Sequence, residues 1–160
     1  MVNAELKRKA RRVQRTLLNT YGRPVWRKPL PILDELVSTI LSQNTNDTNR
    51  DTAFDALRSV FPDWDAVRDA PIDMVISAIR PAGLANQKGP RIQQVLRAIT
   101  AERGDLSLQF LENMPLEKAR QWLLGFKGVG PKTAAIVLLF ALHRPAFPVD
   151  THVHRVTGRL

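Results

Sequence analysis

Apolar residues recur at helical spacing along nearly the whole chain, and this pattern limits the possible fold more than any other feature of the sequence. Residues 4–20 and 87–102 carry one apolar position in every three or four, and residues 31–43 carry a broad apolar face behind a first-turn proline. No segment alternates apolar and polar residues between turn residues, as a half-buried strand would. The sequence therefore predicts an all-α fold of about ten short helices.

The residue types that are missing exclude several classes of protein. The chain has no cysteine, so disulfides and thiolate-bound metal or iron–sulfur sites are excluded within its 160 residues. The three histidines show no spacing typical of a metal site, and we expect no bound metal. No apolar run reaches the roughly 18 residues of a membrane helix, and the first residues lack the apolar segment of a secretory signal. We therefore expect a cytoplasmic protein with no membrane partner.

The net charge of +9 is distributed unevenly along the chain. Residues 1–30, 80–97 and 127–160 carry +8, +4 and +4, whereas residues 31–79 carry −6 and residues 98–126 carry −1. Basic segments that share a face favour a polyanionic partner such as a nucleic acid. The same charges are equally compatible with a solvated surface, so charge alone leaves both interpretations open.

The stretch LLGFKGVGPKTAAIVLL, residues 123–139, approaches a nucleotide-binding loop without matching one. Two of its glycines have the separation found in G-x-x-x-x-G-K-[ST], but Pro131 fills the lysine position and Lys132 follows one residue late. Thr133 stands where a dinucleotide-binding fingerprint has its third glycine. Both motifs also need a preceding strand, whereas the preceding segment is predicted to be helical. Both nucleotide-binding interpretations are therefore disfavoured.

A helix-hairpin-helix fits the same stretch better. The helix over residues 115–124 ends, residues 128–130 form a tight hairpin, and Pro131 begins a helix that we expect to run over residues 131–142. Val129 can anchor the hairpin to the core, and the N–H groups at the start of the second helix face an anion. A DNA phosphate fits there whatever the base sequence. A plain helical hairpin with a glycine cap is the alternative.

Four stretches, in chain order, carry a specific resemblance to a known family. They are ILSQNTND at 40–47, IRPAGLANQK at 79–88, FKGVGPKTAAIV at 126–137 and PVDTHVHRV at 148–156. Together they resemble the signature of the endonuclease III branch of the helix-hairpin-helix (HhH-GPD) DNA glycosylase superfamily. A hairpin alone would be weak evidence, because many DNA-binding proteins carry one, but the hairpin followed by VDTH is specific.

The resemblance implies a domain organisation. A six-helix, barrel-like glycosylase domain is expected over residues 30–142, with the helix-hairpin-helix at about 115–142. Residues 1–29 would form a basic N-terminal helix and linker, part of a second domain that relatives complete C-terminally, and residues 143–160 would begin that C-terminal region. Most relatives continue further, usually with four cysteines that hold a [4Fe–4S] cluster. We therefore expect a chain that is shortened relative to them, monomeric, and without that cluster within its 160 residues.

Two residues match the family's catalytic pair. Lys132 corresponds to the lysine of members that both remove a base and cut the strand, where the amine attacks the sugar C1′, forms a Schiff base and permits β-elimination. Because the amine must be neutral, we expect the helix N-terminus and partial burial to lower its pKa from about 10.4. Asp150 corresponds to an aspartate that would stabilise cationic charge on the sugar and assist proton transfer. On residue type alone, Lys132 is a phosphate contact or solvated charge, and Asp150 is a helix N-cap.

The other implied residues would bind DNA. Gly128, Val129 and Gly130 would hold a phosphate through backbone groups, and Lys127 would add a phosphate contact or be solvated. A base must leave the stack before its glycosidic bond can be reached, so wedge side chains must fill the gap. The wedge candidates are Gln43, Asn44 and Leu84. Relatives usually have glutamine as the first wedge, but here Asn44 occupies the matching position and glutamine precedes it. Leu84 has the alternative role of a core residue after a glycine turn.

Several other side chains are expected to have structural roles. Asn46 or Asp47 would cap the helix that ends before Pro62. His152 either lies near the site or stabilises its helix. The tryptophans, which are expected to pack rather than stack on bases, are Trp26, Trp64 and Trp122.

The implied function is base excision repair. We expect a DNA glycosylase with AP lyase activity, associated with the nucleoid and acting on oxidised pyrimidines or abasic sites in double-stranded DNA. Lys132 argues against the family's monofunctional adenine glycosylases, which lack this lysine, but it does not separate oxidised pyrimidines from 8-oxoguanine. A non-catalytic helix-hairpin-helix DNA-binding module is the alternative from a different class.

Overall fold

The computed structural model describes residues 4–25 and 28–160, which fold into nine α-helices joined by short connections. The helices are α1 Ala4–Tyr21, α2 Ile32–Leu41, α3 Asp47–Val60, α4 Trp64–Asp69, α5 Ile72–Ala78, α6 Ala85–Arg103, α7 Leu116–Leu124, α8 Pro131–Ile136 and α9 Thr151–Thr157. Short 3₁₀ turns cover Arg80–Ala82 and Gln109–Glu112, and a π-helical segment, Val137–Ala141, continues α8. These residues contain no strand, which confirms the predicted all-α fold.

Helix α2 lies at the centre of the fold. Nine of its ten residues are buried, and it packs against α3, α6, α8 and the π-helical segment. A helix that is apolar around most of its circumference is stabilised by a core on several sides, which agrees with the broad apolar face predicted for residues 31–43. Leu41, the last residue of α2, is fully buried and leads directly into an exposed loop. The core therefore determines where that loop begins.

Side-chain capping determines where α3 begins. The side-chain oxygen of Asn46 accepts a hydrogen bond from the Asn49 N–H at 2.8 Å, so Asn46 is the N-cap. Asp47 is already the first helical residue, and its carboxylate pairs with Arg50 at 2.6 Å. Of the two predicted caps, Asn46 is confirmed.

The second helix of the hairpin differs from the single α-helix predicted over residues 131–142. Its last turn is π-helical, and the Leu142 N–H donates to the carbonyl of Val137 at 3.1 Å. His143 then adopts a left-handed conformation with φ of +52°, which turns the chain away from the helix axis. The α-helical prediction is wrong for this last turn because apolar spacing over five residues does not distinguish the two hydrogen-bond patterns.

Two of the three tryptophans pack as predicted. Trp64 is buried, and its indole N–H donates to the carboxylate of Asp34 at 2.7 Å. Trp122 contacts Phe126 edge to face, with ring centroids 4.6 Å apart. Trp26 lies outside the described residues.

Helices α1 and α9 lie at the surface. Neither contains a buried residue, and the apolar residues Leu6 and Leu17 of α1 are 57% and 51% exposed. In the described part of the chain, every helix is too short or too polar to cross a bilayer. The division into residues 1–29, 30–142 and 143–160 stays a prediction.

Candidate active site and nucleic-acid interface

The connection between α7 and α8 is a tight hairpin. The Val129 N–H donates to the carbonyl of Phe126 at 3.0 Å, and Gly128 has a φ of +91°, a conformation that favours glycine. Val129 is 4% exposed, so its side chain anchors the hairpin to the core as predicted. The element before the hairpin is a helix, which excludes the strand-dependent nucleotide-binding loops. The arrangement is a helix-hairpin-helix.

The backbone N–H groups of the hairpin differ in their engagement. The N–H of Val129 is used within the turn, and Pro131 has none. Gly130 is extended at the N-cap position of α8 and presents its backbone ahead of the helix. This geometry favours Gly128 and Gly130 over Val129 as donors to an anion, and the exposed Lys127 lies beside them.

Lys132 is the second residue of α8, and its side chain is exposed. The predicted partial burial is therefore wrong, because the next two residues, Thr133 and Ala134, occupy the buried face of this turn. An exposed amine two residues after the hairpin can reach a ligand bound to the hairpin.

Asp150 is the N-cap of α9. Its Oδ1 accepts a hydrogen bond from the Val153 N–H at 2.7 Å, and this bond is the main reason that the pKa of Asp150 lies below its usual 3.8. The charges of Lys132 and His152 lower the same pKa further. The ammonium of Lys132 and the carboxylate of Asp150 therefore interact, although they belong to different helices.

We expect the Asp150 carboxyl to titrate below 3.8, measured by carbon NMR of the side chain at increasing pH. Because the folded pKa lies below the unfolded value, the ionised carboxylate stabilises the folded state above the unfolded pKa. That contribution is lost as the pH falls through the lowered folded value. Asp150→Asn keeps an oxygen for the Val153 N–H but cannot ionise, so protection of the α9 amides should lose this pH dependence. A titration midpoint at or above 3.8 would contradict the interaction.

Gln43 bridges the loop after α2 and the hairpin. Its Nε2 donates to the carbonyl of Gly128 at 3.2 Å, and its Oε1 accepts a hydrogen bond from Arg91 at 2.8 Å. Both ends of this amide are therefore engaged within the protein. The neighbouring Asn44 is exposed. The structure therefore favours Asn44 over Gln43 as the side chain that is free to contact a ligand.

Asn44 and Leu84 share an unusual backbone conformation. Their φ angles are +53° and +50°, in the left-handed region that non-glycine residues seldom adopt. Leu84 is 46% exposed, so its alternative role as a core residue is wrong. Gly83 precedes it and also has positive φ, which turns the chain outward before α6 begins. Of the wedge candidates, Asn44 and Leu84 therefore lie on strained turns at the surface.

Sequence reasoning missed two residues of α6 that contact these loops. Arg91 donates a hydrogen bond to Gln43 and packs over Gly128. Lys88 is buried beneath the two loops that carry Asn44 and Leu84, the candidate wedge loops. The two cations are three residues apart, so they lie near each other on the helix surface. Their spacing was visible in the sequence, but their partners are distant in the chain.

The donor set fits no metal or iron–sulfur group. No cluster of three histidine, aspartate or glutamate side chains occurs among the described residues. The chain also offers no cysteine for a thiolate-bound cluster. His152 is exposed beside Asp150 and lowers the pKa of this carboxyl through its charge and through its backbone N–H.

Comparison with known proteins identifies relatives of this arrangement. The sequence profile described as HhH-GPD superfamily base excision DNA repair protein matches residues 37–160. A candidate DNA glycosylase of Arabidopsis thaliana is 43% identical over 129 residues, covering 81% of this chain and 44% of that protein. Endonuclease III of Sulfolobus acidocaldarius is 38% identical over 127 residues, covering 78% of this chain and 54% of that protein. The chain thus spans about half the length of these curated relatives.

A solved structure has a similar fold along the whole length of this chain. A trapped covalent intermediate of endonuclease III with DNA superposes with a TM-score of 0.75 at 26% identity, covering 100% of this chain and 70% of that one. The similarity includes the helices on both sides of the hairpin, because all of this chain is aligned.

Proposed function

Since the chain belongs to the HhH-GPD superfamily of base excision DNA repair proteins, we propose that it removes a damaged base from duplex DNA and then cuts the strand through a Schiff base on Lys132. One observation carries the proposal. Lys132 is exposed two residues after the hairpin, and its charge acts on Asp150 across the gap between α8 and α9. This charge effect supports Lys132 as the nucleophile and Asp150 as the carboxylate that assists it.

The proposed reaction has a defined sequence of bonds. The neutral amine of Lys132 attacks the sugar C1′, and the base leaves with the electron pair of the glycosidic bond. The sugar ring opens to give an iminium ion between C1′ and Nζ. Loss of a proton from C2′ then expels the 3′ phosphate by β-elimination, which breaks the strand. Hydrolysis of the imine returns the amine of Lys132.

Asp150 is proposed to assist this reaction as an anion. Its hydrogen bond with Val153 keeps the carboxylate ionised well below neutral pH. A fixed negative charge near the sugar stabilises cationic character as the glycosidic bond breaks. The same carboxylate can accept the proton that the attacking amine must lose. The N-cap and catalytic roles are compatible, because the cap uses one of its two oxygens.

The hairpin and the wedge loops are proposed to bind the duplex on either side of the lesion. Gly128 and Gly130 would donate to a phosphate, with Lys127 adding charge, and this contact is independent of base sequence. Asn44 and Leu84 would fill the gap left when the base leaves the stack. Their exposure and outward turns support this role.

Oxidised pyrimidines are the proposed substrates, because the four sequence motifs resemble those of the endonuclease III branch and an endonuclease III is among the similar proteins. 8-Oxoguanine is the alternative lesion, since a lysine nucleophile is compatible with both. A non-catalytic DNA-binding module remains the alternative of a different class, and it would bind through the same hairpin without chemistry.

Borohydride trapping on a panel of duplexes tests the proposal. Borohydride reduces the iminium ion to a stable secondary amine, so each turnover that passes through the Schiff base leaves a covalent adduct. The duplexes carry thymine glycol, 8-oxoguanine, an abasic site or no lesion. We expect adducts with thymine glycol and with the abasic site, and none with intact DNA.

Each other result has a distinct meaning. An adduct with 8-oxoguanine but not thymine glycol would change the substrate and keep the chemistry. No adduct with any duplex would refute the lyase. Binding that weakens steeply with salt in the absence of any adduct would then favour the non-catalytic module.

A further inference from the structure

Lys88 is the largest fully buried side chain in the described residues, with 1% of its surface exposed. Burying an ammonium group is costly even when it is hydrogen-bonded, and an apolar residue of similar volume often stabilises a core at least as well. Burial also lowers the pKa of Lys88 from its usual 10.5. Stability alone therefore gives little reason for a lysine at this position.

The two hydrogen bonds of Lys88 suggest another role. Nζ donates to the carbonyl of Leu41 and to the carbonyl of Ala82, both at 2.7 Å. Leu41 ends α2 three residues before Asn44, and Ala82 ends a 3₁₀ turn two residues before Leu84. A single buried cation thus joins the bases of the two wedge loops.

Both loops that Lys88 joins carry a strained residue, Asn44 in one and Leu84 in the other. A left-handed conformation strains a non-glycine residue, and such strain persists only where the surrounding structure imposes it. The contacts of Lys88 lie just ahead of each strained residue, where they fix the direction in which the chain turns outward. In addition, the Lys88 N–H donates to the carbonyl of Leu84 at 2.9 Å.

We propose that Lys88 is a positioning residue for insertion of the wedge: it holds the Asn44 loop and the Leu84 loop at the separation at which both side chains enter the duplex together. This inference rests on the proposed function, because it takes Asn44 and Leu84 as the wedge. Lys88 itself is too deeply buried to touch DNA. Its effect would reach the substrate only through the two loops.

The experiment compares substrates that do and do not require a wedge. Lys88→Met is tested by borohydride trapping on an abasic site in a duplex and on the same abasic site in a single strand, which is already unstacked. We expect the duplex rate to fall by about 100-fold, as small misplacements of positioning groups do. The single-strand rate should stay within about twofold, because the catalytic pair is untouched.

Gln93→Met is the matched control. Gln93 is also buried on α6 and also donates to two carbonyls, those of Val67 and Ala70 at 2.9 and 2.8 Å, but these lie away from the wedge loops. It should lose comparable stability and keep both trapping rates. The proposal would be overturned if Lys88→Met lost trapping equally on both substrates or kept its duplex rate. It would also be overturned if Gln93→Met showed the same selective loss on the duplex.

A second variant and a second measurement keep the two proposals separate. Lys88→Gln retains N–H donors on a shorter side chain. If Lys88→Met does not fold, Lys88→Gln takes its place in the same trapping experiment, and we expect an intermediate loss of the duplex rate. Amide hydrogen exchange without DNA should speed up at residues 42–45 and 83–84 in the Lys88 variants and not in Gln93→Met. If the wild type traps neither substrate, the proposed function fails. Unchanged exchange at both loops would overturn the positioning role independently.

Discussion

Replacing Lys132 by alanine is expected to abolish the borohydride-trapped adduct with abasic duplex DNA, lowering its rate of formation by about 1,000-fold or more. The reason is chemical, since no iminium ion forms without a primary amine at this position. Lys132 is exposed, so the fold should be unaffected, with a change in the free energy of unfolding within about 0.5 kcal/mol. The measurements are the trapping rate and a denaturant unfolding curve.

DNA binding separates the nucleophile from a phosphate contact. If Lys132 acts only as a charge, Lys132→Ala should weaken DNA binding while trapping persists. The slope of the logarithm of the binding constant against the logarithm of the salt concentration should then fall by about 1. If it is the nucleophile, binding should persist while trapping vanishes. Lys118→Ala is the control, because Lys118 is also an exposed lysine and lies on α7, the helix that precedes the hairpin. An adduct that survives in Lys132→Ala would show that another amine reacts.

The parts of this fold that were predictable from sequence depend on neighbouring residues. The buried face of α2 follows from apolar spacing within ten residues. The N-caps Asn46 and Asp150 each accept a hydrogen bond from the N–H three residues later. The hairpin was predictable for the same reason, because Gly128 and Pro131 restrict the backbone whatever surrounds them. The exposure of Lys132 was not, since it depends on which face of a short helix meets the core.

The features that escaped prediction depend on residues that are far apart in the chain. Lys88 donates to a carbonyl 47 residues away, and Gln43 donates to one 85 residues away. No local sequence pattern predicts either hydrogen bond. The positive φ of Asn44 and Leu84 is equally hidden, because nothing in a leucine signals a left-handed turn. Such turns are imposed by the packed fold, and they lie where we propose that DNA is deformed.

The contact between Arg91 and Gly128 makes the hairpin unusually sensitive to a single methyl group. A Cβ added at Gly128 would lie 2.5 Å from Nε of Arg91 and closer still to its Cδ, so the arginine side chain that hydrogen-bonds Gln43 must shift. The φ of +91° adds strain for any side chain. Gly128→Ala is therefore expected to lower the free energy of unfolding by about 2–5 kcal/mol, the sum of overpacking and left-handed strain.

Two further variants separate the clash with Arg91 from the left-handed strain in this loss of stability. Gly104 has a φ of +85° with no atom within 4 Å of an added Cβ, so Gly104→Ala should show the strain alone, about 1–2 kcal/mol. In an Arg91→Ala background the clash is absent, and Gly128→Ala should then cost no more than Gly104→Ala does. Denaturant unfolding of the four members of this cycle should give a coupling energy of about 1–3 kcal/mol. Additive losses would mean that Arg91 does not pack on the hairpin in solution, and the link from α6 through Gln43 to the hairpin would then be lost with it.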